Sequence, residues 1–94
     1  LEGYEMLTAL DGVEAHTGRV AIPVFSNYRD FSHMAHWFHR YVVRFPEING
    51  LLIAGHGLYC WGATTGDALR QAEALEFMFE CELRMAQIAA PAEE

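Results

Sequence analysis

Basic residues are scarce in this chain: six arginine or lysine side chains stand against thirteen acidic ones, a formal charge of −7 at pH 7 over 94 residues. Such a charge repels phosphate backbones and anionic headgroups, so no nucleic-acid or membrane partner is expected. Cysteine is rarer still. Cys60 and Cys81 are widely spaced and each lies among apolar neighbours, which suggests neither a disulfide framework nor a cysteine-based zinc knuckle and fits a reduced, cytoplasmic setting. No apolar run reaches the length of a membrane span, and no charged-then-apolar leader precedes a cleavage site. Internal repeats, low-complexity stretches and the HExxH signature of zinc hydrolases are also missing.

What is present is apolar for so small a chain, with 52% hydrophobic and 20% charged residues. A domain of this size buries a modest fraction of its surface, so a missing half or a subunit interface is expected to cover the rest. The chain begins at Leu1, and Leu1 to Leu10 read as helix with no capping residue ahead of them. The expectation is a cut edge, with an upstream half lost.

Asp11-Gly12 closes that first helix, glycine supplying a left-handed cap. Between Arg19 and Phe25, Val20, Ile22 and Val24 alternate as in a strand, while Pro23 points to an edge or a strand end. Phe31, Met34, Ala35, Phe38, Val42 and Phe45 form a helical stripe over Asp30 to Phe45, ended by Pro46. Asn49-Gly50 then turns the chain into Leu51-Leu52-Ile53-Ala54, a run typical of a strand buried on both faces. Gly55-His56-Gly57 leads into a second short strand, Leu58 to Trp61.

A long helix opens after Gly62, with Asp67 three residues beyond Thr64 as in a capping box, and runs to about Ile88. It has two apolar faces: Ala68, Ala72, Leu75, Phe79, Leu83 and Ala86 on one, and Ala74, Met78, Cys81 and Met85 on the other. One face is expected on the sheet and the other on another subunit or the missing half. Residues 89–94 are small, acidic and proline-containing and are expected to form a disordered tail. The order helix, strand, helix, strand, strand, helix is that of an α/β layered unit.

His56, between two glycines on rigid backbone, suits a metal ligand, since zinc takes neutral imidazole and catalytic sites use three protein ligands with one open position. A turn histidine bonded to nearby backbone is the alternative. Glu5 is a general base if burial raises its pKa, and otherwise a solvated helix glutamate. His33, His36 and His39 step by three along one helix face, close enough to share a metal, but they lie beside Arg29, Ser32 and Arg40 on what reads as a solvated face. Glu76 falls inside an apolar stripe and needs a partner, either a structural hydrogen bond or a contact to the metal histidine. Tyr59 and Trp61 read as packing residues or as lining of a substrate pocket.

The segment Gly50-Leu51-Leu52-Ile53-Ala54-Gly55-His56-Gly57-Leu58-Tyr59-Cys60-Trp61-Gly62, with the helix carrying Ala68, Ala72, Glu73, Ala74, Leu75 and Glu76, resembles the class II aldolase and adducin family. Gly57 to Gly62, the Gly3-Tyr4-Glu5-Met6-Leu7 start and the Ile22-Pro23-Val24-Phe25 strand favour a dehydrating member over the sugar-phosphate aldolases. The resemblance covers nearly the whole chain but only the C-terminal half of the family's domain, here residues 1–88. It implies the C-terminal part of a three-layer α/β/α fold around a central, mainly antiparallel sheet.

The resemblance further implies one zinc ion per subunit, with His56 as its third histidine ligand, two more in an upstream His-x-His motif, and Glu5 as the catalytic acid/base. A small-molecule sugar phosphate is the implied substrate, its phosphate loop also lying upstream, and a homotetramer the implied assembly; this fragment alone is expected to be inactive. Thr8 and Ala54 depart from the Lys and Arg common at those places. An aldolase of the same family and a non-catalytic adducin-like scaffold domain are the alternatives.

Overall fold

The computed structural model describes residues 1–13, 18–27 and 29–89. A 3-10 helix, Glu5–Ala9, is followed by strand β1 (Val24–Phe25), helix α1 (Phe31–Arg44), strands β2 (Gly50–Ile53) and β3 (Gly57–Cys60), and helix α2 (Thr65–Ala89). The tail expected to be disordered lies, beyond Ala89, outside the described residues.

The sheet has the order β1-β2-β3. Val24 and Phe25 pair in parallel with Leu52 and Ile53, while Gly50 to Ile53 pair antiparallel with Cys60 to Gly57. The expectation of a mainly antiparallel sheet is corrected to a mixed one. The connections give the reason: β2 and β3 are joined by a tight turn, which forces antiparallel pairing, whereas α1 serves as the crossover that parallel neighbours require. Pro23 sits at the start of edge strand β1, where its carbonyl accepts the Leu52 N–H at 2.9 Å and its missing N–H costs no ladder bond.

Alternation along β2 and β3 sends Leu51, Ile53 and Tyr59 to one face and Gly50, Leu52, Leu58 and Cys60 to the other. On the second face Leu7, Leu10, Ala74, Leu75 and Met78 form the buried core, with Leu58 and Cys60 packed against it. Each buried leucine contributes about 1.5–3 kcal/mol by leaving water. A Cβ on Gly50 would meet the Tyr59 carbonyl oxygen at 2.9 Å and the Leu75 side chain at 3.2 Å, so glycine lets α2 approach the sheet here.

Helix α1 covers the first face less tightly. Leu51 and Ile53 are buried there, yet no residue of α1 is. Its contacts are aromatic edges, Phe25 to Phe38 at 6.4 Å, Phe25 to Tyr41 at 5.8 Å and Phe38 to Trp61 at 5.7 Å. The helix starts where sequence signals put it, Asp30 Oδ1 accepting the Ser32 N–H at 2.9 Å, and it stops ahead of Pro46. The three layers are thus α1, the sheet, and α2 with the 3-10 helix.

Three local expectations shift. Leu1 to Gly3 are not helical: Leu1 and Val20 exchange both backbone hydrogen bonds at 2.8 Å, and Glu2 bridges Arg19. The strand expected from Arg19 shrinks to Val24–Phe25 for the same reason, since its first residues pair with the start of the chain. In α2 the buried line is Gln71, Ala74, Leu75 and Met78, which takes Leu75 from one anticipated face, Ala74 and Met78 from the other and Gln71 from neither, and Leu83, Met85 and Ile88 are exposed. Thr64 does cap α2, its Oγ1 accepting the Asp67 N–H at 3.1 Å.

Candidate functional site

The β2–β3 connection is a turn closed by the His56 N–H bonding to the Ile53 carbonyl at 2.9 Å. Gly55, its third residue, has φ +71°, and Gly57 at the start of β3 has φ +140°. Both values are strained for any residue with a Cβ, so the two glycines around His56 are required by the backbone; a Cβ at either would meet nothing within 4 Å, so it is φ and not space that calls for glycine. His56 is exposed at this end of the sheet.

Its ring is nonetheless held. Nδ1 lies 2.9 Å from the Tyr59 hydroxyl, and the two rings stack with centroids 5.7 Å apart at 27°. Tyr59 is the hydrogen-bond partner of the ring among the described residues, and Nε2 makes no hydrogen bond among them. A neutral imidazole with one nitrogen anchored and the other open suits a zinc ion as a donor. Among the described residues no three His, Cys, Asp or Glu side chains come together as a metal site.

Glu5 opens the 3-10 helix and is exposed, and no hydrogen bond or ion pair among the described residues joins it to His56. Its segment is fixed from both sides. Tyr4 donates its hydroxyl to Glu82 of α2, which pushes the Tyr4 pKa up to about 12 through that hydrogen bond, with smaller help from desolvation. After the helix, Arg70 bonds the Ala9 carbonyl and reaches Asp11 at 2.8 Å. Thr8, one of the two departures, bonds its hydroxyl to the Glu5 carbonyl at 2.9 Å. Ala54, the other, is exposed as the second residue of the turn.

The remaining candidates lie elsewhere. Glu76 is exposed, so the partner expected for a buried carboxylate is unnecessary; α2 turns its buried line past that position. Its charge acts on Cys60, whose thiol pKa is raised first by burial and second by Glu76, at the opposite end of β3 from His56. His33, His36 and His39 are exposed on α1, with Trp37 between the rings of His33 and His36 at 6.3 and 5.7 Å. Trp61 packs on Phe38, and its carbonyl accepts from Gln71 at 2.9 Å.

Sequence reasoning treated Tyr59 as a packing or pocket-lining residue and missed its bond to His56. The available signal was spacing: Tyr59, three residues after His56, is the first side chain of β3 on the sheet face it shares with Ile53, beside the turn that carries His56. Asn49 and Gln71, both nearly closed to solvent, were also missed, because Asn49-Gly50 already accounted for itself as a turn.

Residues 1–83 match the family model described as Class II Aldolase and Adducin N-terminal domain. The chain is 48% identical over 88 residues to a methylthioribulose-1-phosphate dehydratase of Marinobacter nauticus, covering 94% of this chain and 42% of that protein. It is 45% identical over 89 residues to the enzyme of that name from Pseudomonas aeruginosa, covering 95% and 43%. It is 46% identical over 85 residues to the one from Methylococcus capsulatus, covering 90% and 42%. The chain spans less than half the length of these relatives.

Proposed function

Because the chain belongs to the class II aldolase and adducin family, we propose that it forms part of a zinc-dependent hydro-lyase that dehydrates 5-methylthioribulose 1-phosphate, a step of methionine salvage. The observation that carries this reading is His56, held by turn and phenol with Nε2 open, in a chain nearly half identical to dehydratases of that name. His56 would hold the zinc together with ligands from outside these residues. When bound, the metal supplies Lewis-acid stabilisation of negative charge on the substrate's ketone and neighbouring hydroxyl oxygens.

Glu5 would accept the proton from the carbon between the ketone and the next carbinol. Loss of the following hydroxyl as water, assisted by an acid, leaves an enol that tautomerises to the 2,3-diketo-5-methylthiopentyl 1-phosphate. The Tyr4–Glu82 bond and the Arg70 contacts hold the backbone on either side of Glu5 against α2, so the carboxylate is offered from a fixed segment. Its exposure here means that whatever desolvates it is supplied by the substrate or by the rest of the protein. The reading includes a cytoplasmic enzyme assembled as a tetramer, in keeping with the exposed Leu83, Met85 and Ile88 of α2.

The test is incubation of the full-length protein with methylthioribulose 1-phosphate and mass analysis of the products. A product lighter by one water supports the dehydratase. Two fragments from carbon–carbon cleavage would replace it with a family aldolase, and unchanged substrate would favour a scaffold.

A further inference from the structure

We propose that Tyr59 is the positioning residue of His56: its phenol oxygen accepts the Nδ1 proton, which fixes the ring and leaves the Nε2 lone pair as the metal donor. The inference rests on the reading of His56 as a zinc ligand. It goes further by naming the group that decides which nitrogen is offered.

The His56 ring is exposed, and an imidazole standing free in water carries its neutral-form proton mainly on Nε2, the wrong place for a ligand at that atom. An acceptor at Nδ1 reverses this preference. The Tyr59 hydroxyl lies 2.9 Å from Nδ1, and the rings are nearly parallel, so the contact restrains ring rotation as well as the proton. The phenol is itself anchored. Tyr59 lies inside β3 with its Cα paired to Leu51, and its ring lines the groove beneath α1 beside Ile53 and Trp61. The backbone beneath His56 is set by the Ile53 turn and the positive φ of Gly55. Donor and acceptor are therefore both placed by the β2–β3 hairpin.

The opposite arrangement, with the tyrosine hydroxyl donating to Nδ1, would put the ring proton on Nε2 and block metal binding there. The two arrangements share one geometry and differ in the tautomer. That makes the proposal decidable by spectroscopy in the absence of metal.

The experiment uses the full-length protein with ring-15N-labelled histidine, His56 being assigned by the signal lost in His56→Ala. In metal-free protein at a pH where the ring is neutral, His56 is expected as the Nδ1–H tautomer, and Tyr59→Phe is expected to move it toward Nε2–H. Zinc should bind Tyr59→Phe about 10–100-fold more weakly than wild type, with the circular dichroism spectrum unchanged. An Nε2–H tautomer in the wild type overturns the proposal, whatever the folding of the variant. So does zinc binding lost in His56→Ala but unaffected in Tyr59→Phe, which leaves the ligand assignment standing. Zinc retained in full by His56→Ala overturns the ligand assignment and this inference with it.

Discussion

Asn49 donates a hydrogen bond to Gln71 at 3.2 Å inside the fold, both side chains being less than a tenth exposed. Gln71 Oε1 also accepts the Asp11 N–H at 2.9 Å, and its Nε2 donates to Asp11 and to the Trp61 carbonyl. Asn49 reaches the Asp11 carbonyl at 2.8 Å. The loop after the 3-10 helix, the approach to β2, the exit of β3 and the first turns of α2 thus meet at one polar junction. No buried side-chain nitrogen or oxygen among the described residues is left without a partner.

Gln71→Leu keeps the volume of this junction and deprives Asn49 and the Asp11 N–H of an acceptor. Stranding such groups costs about 1–3 kcal/mol. Urea unfolding of the full-length protein should show a lower midpoint for the variant, and an unchanged midpoint would mean that the junction contributes nothing.

Tyr4 carries a pH dependence. Its folded pKa is pushed up to about 12 from 10.0 by the hydrogen bond to Glu82, then by desolvation, then by the charges of Glu82 and Cys81. The folded state prefers the protonated phenol, so the stabilisation is present below pH 10 and is lost as pH rises from there toward 12. Phenolate absorbance, taken as the difference between wild type and Tyr4→Phe, should show this late titration. Glu82→Gln should bring it back toward the ordinary value.

Glu5→Gln removes the proposed base and leaves the 3-10 helix and its neighbours in place. Loss of kcat by about 10²–10⁴-fold is expected, with zinc content unchanged. Loss of zinc together with activity would assign Glu5 to the metal instead of the proton.

The legible parts of the fold were those set by near neighbours. Asp30, Pro46 and the Phe31 to Phe45 stripe mark α1 because caps, breakers and 3.6-residue periodicity act within a few residues. The Asn49-Gly50 and Gly55-His56-Gly57 turns bracket β2 and begin β3 for the same reason. Leu1 to Gly3 misled because their conformation comes from pairing with Arg19 and Val20, far along the chain. Glu76 misled because a helix with apolar residues on two sides does not reveal which line between them will be buried; α2 chose Gln71, Ala74, Leu75 and Met78.

Of the candidate site, the turn holding His56 was readable from its glycines, whereas the Tyr59 contact depended on a ring crossing back from the strand to the turn. Glu5 carries no local signal at all. Its candidacy comes from the family pattern, since its carboxylate is exposed and makes no hydrogen bond among the described residues.

The most direct measurement is bound zinc, by elemental analysis of the full-length protein beside its His56→Ala variant. Zinc present in the parent and lost or sharply reduced in the variant is the predicted result. A folded parent without zinc, after purification free of chelators and with zinc supplied, would contradict the account and leave the adducin-like scaffold as the better description.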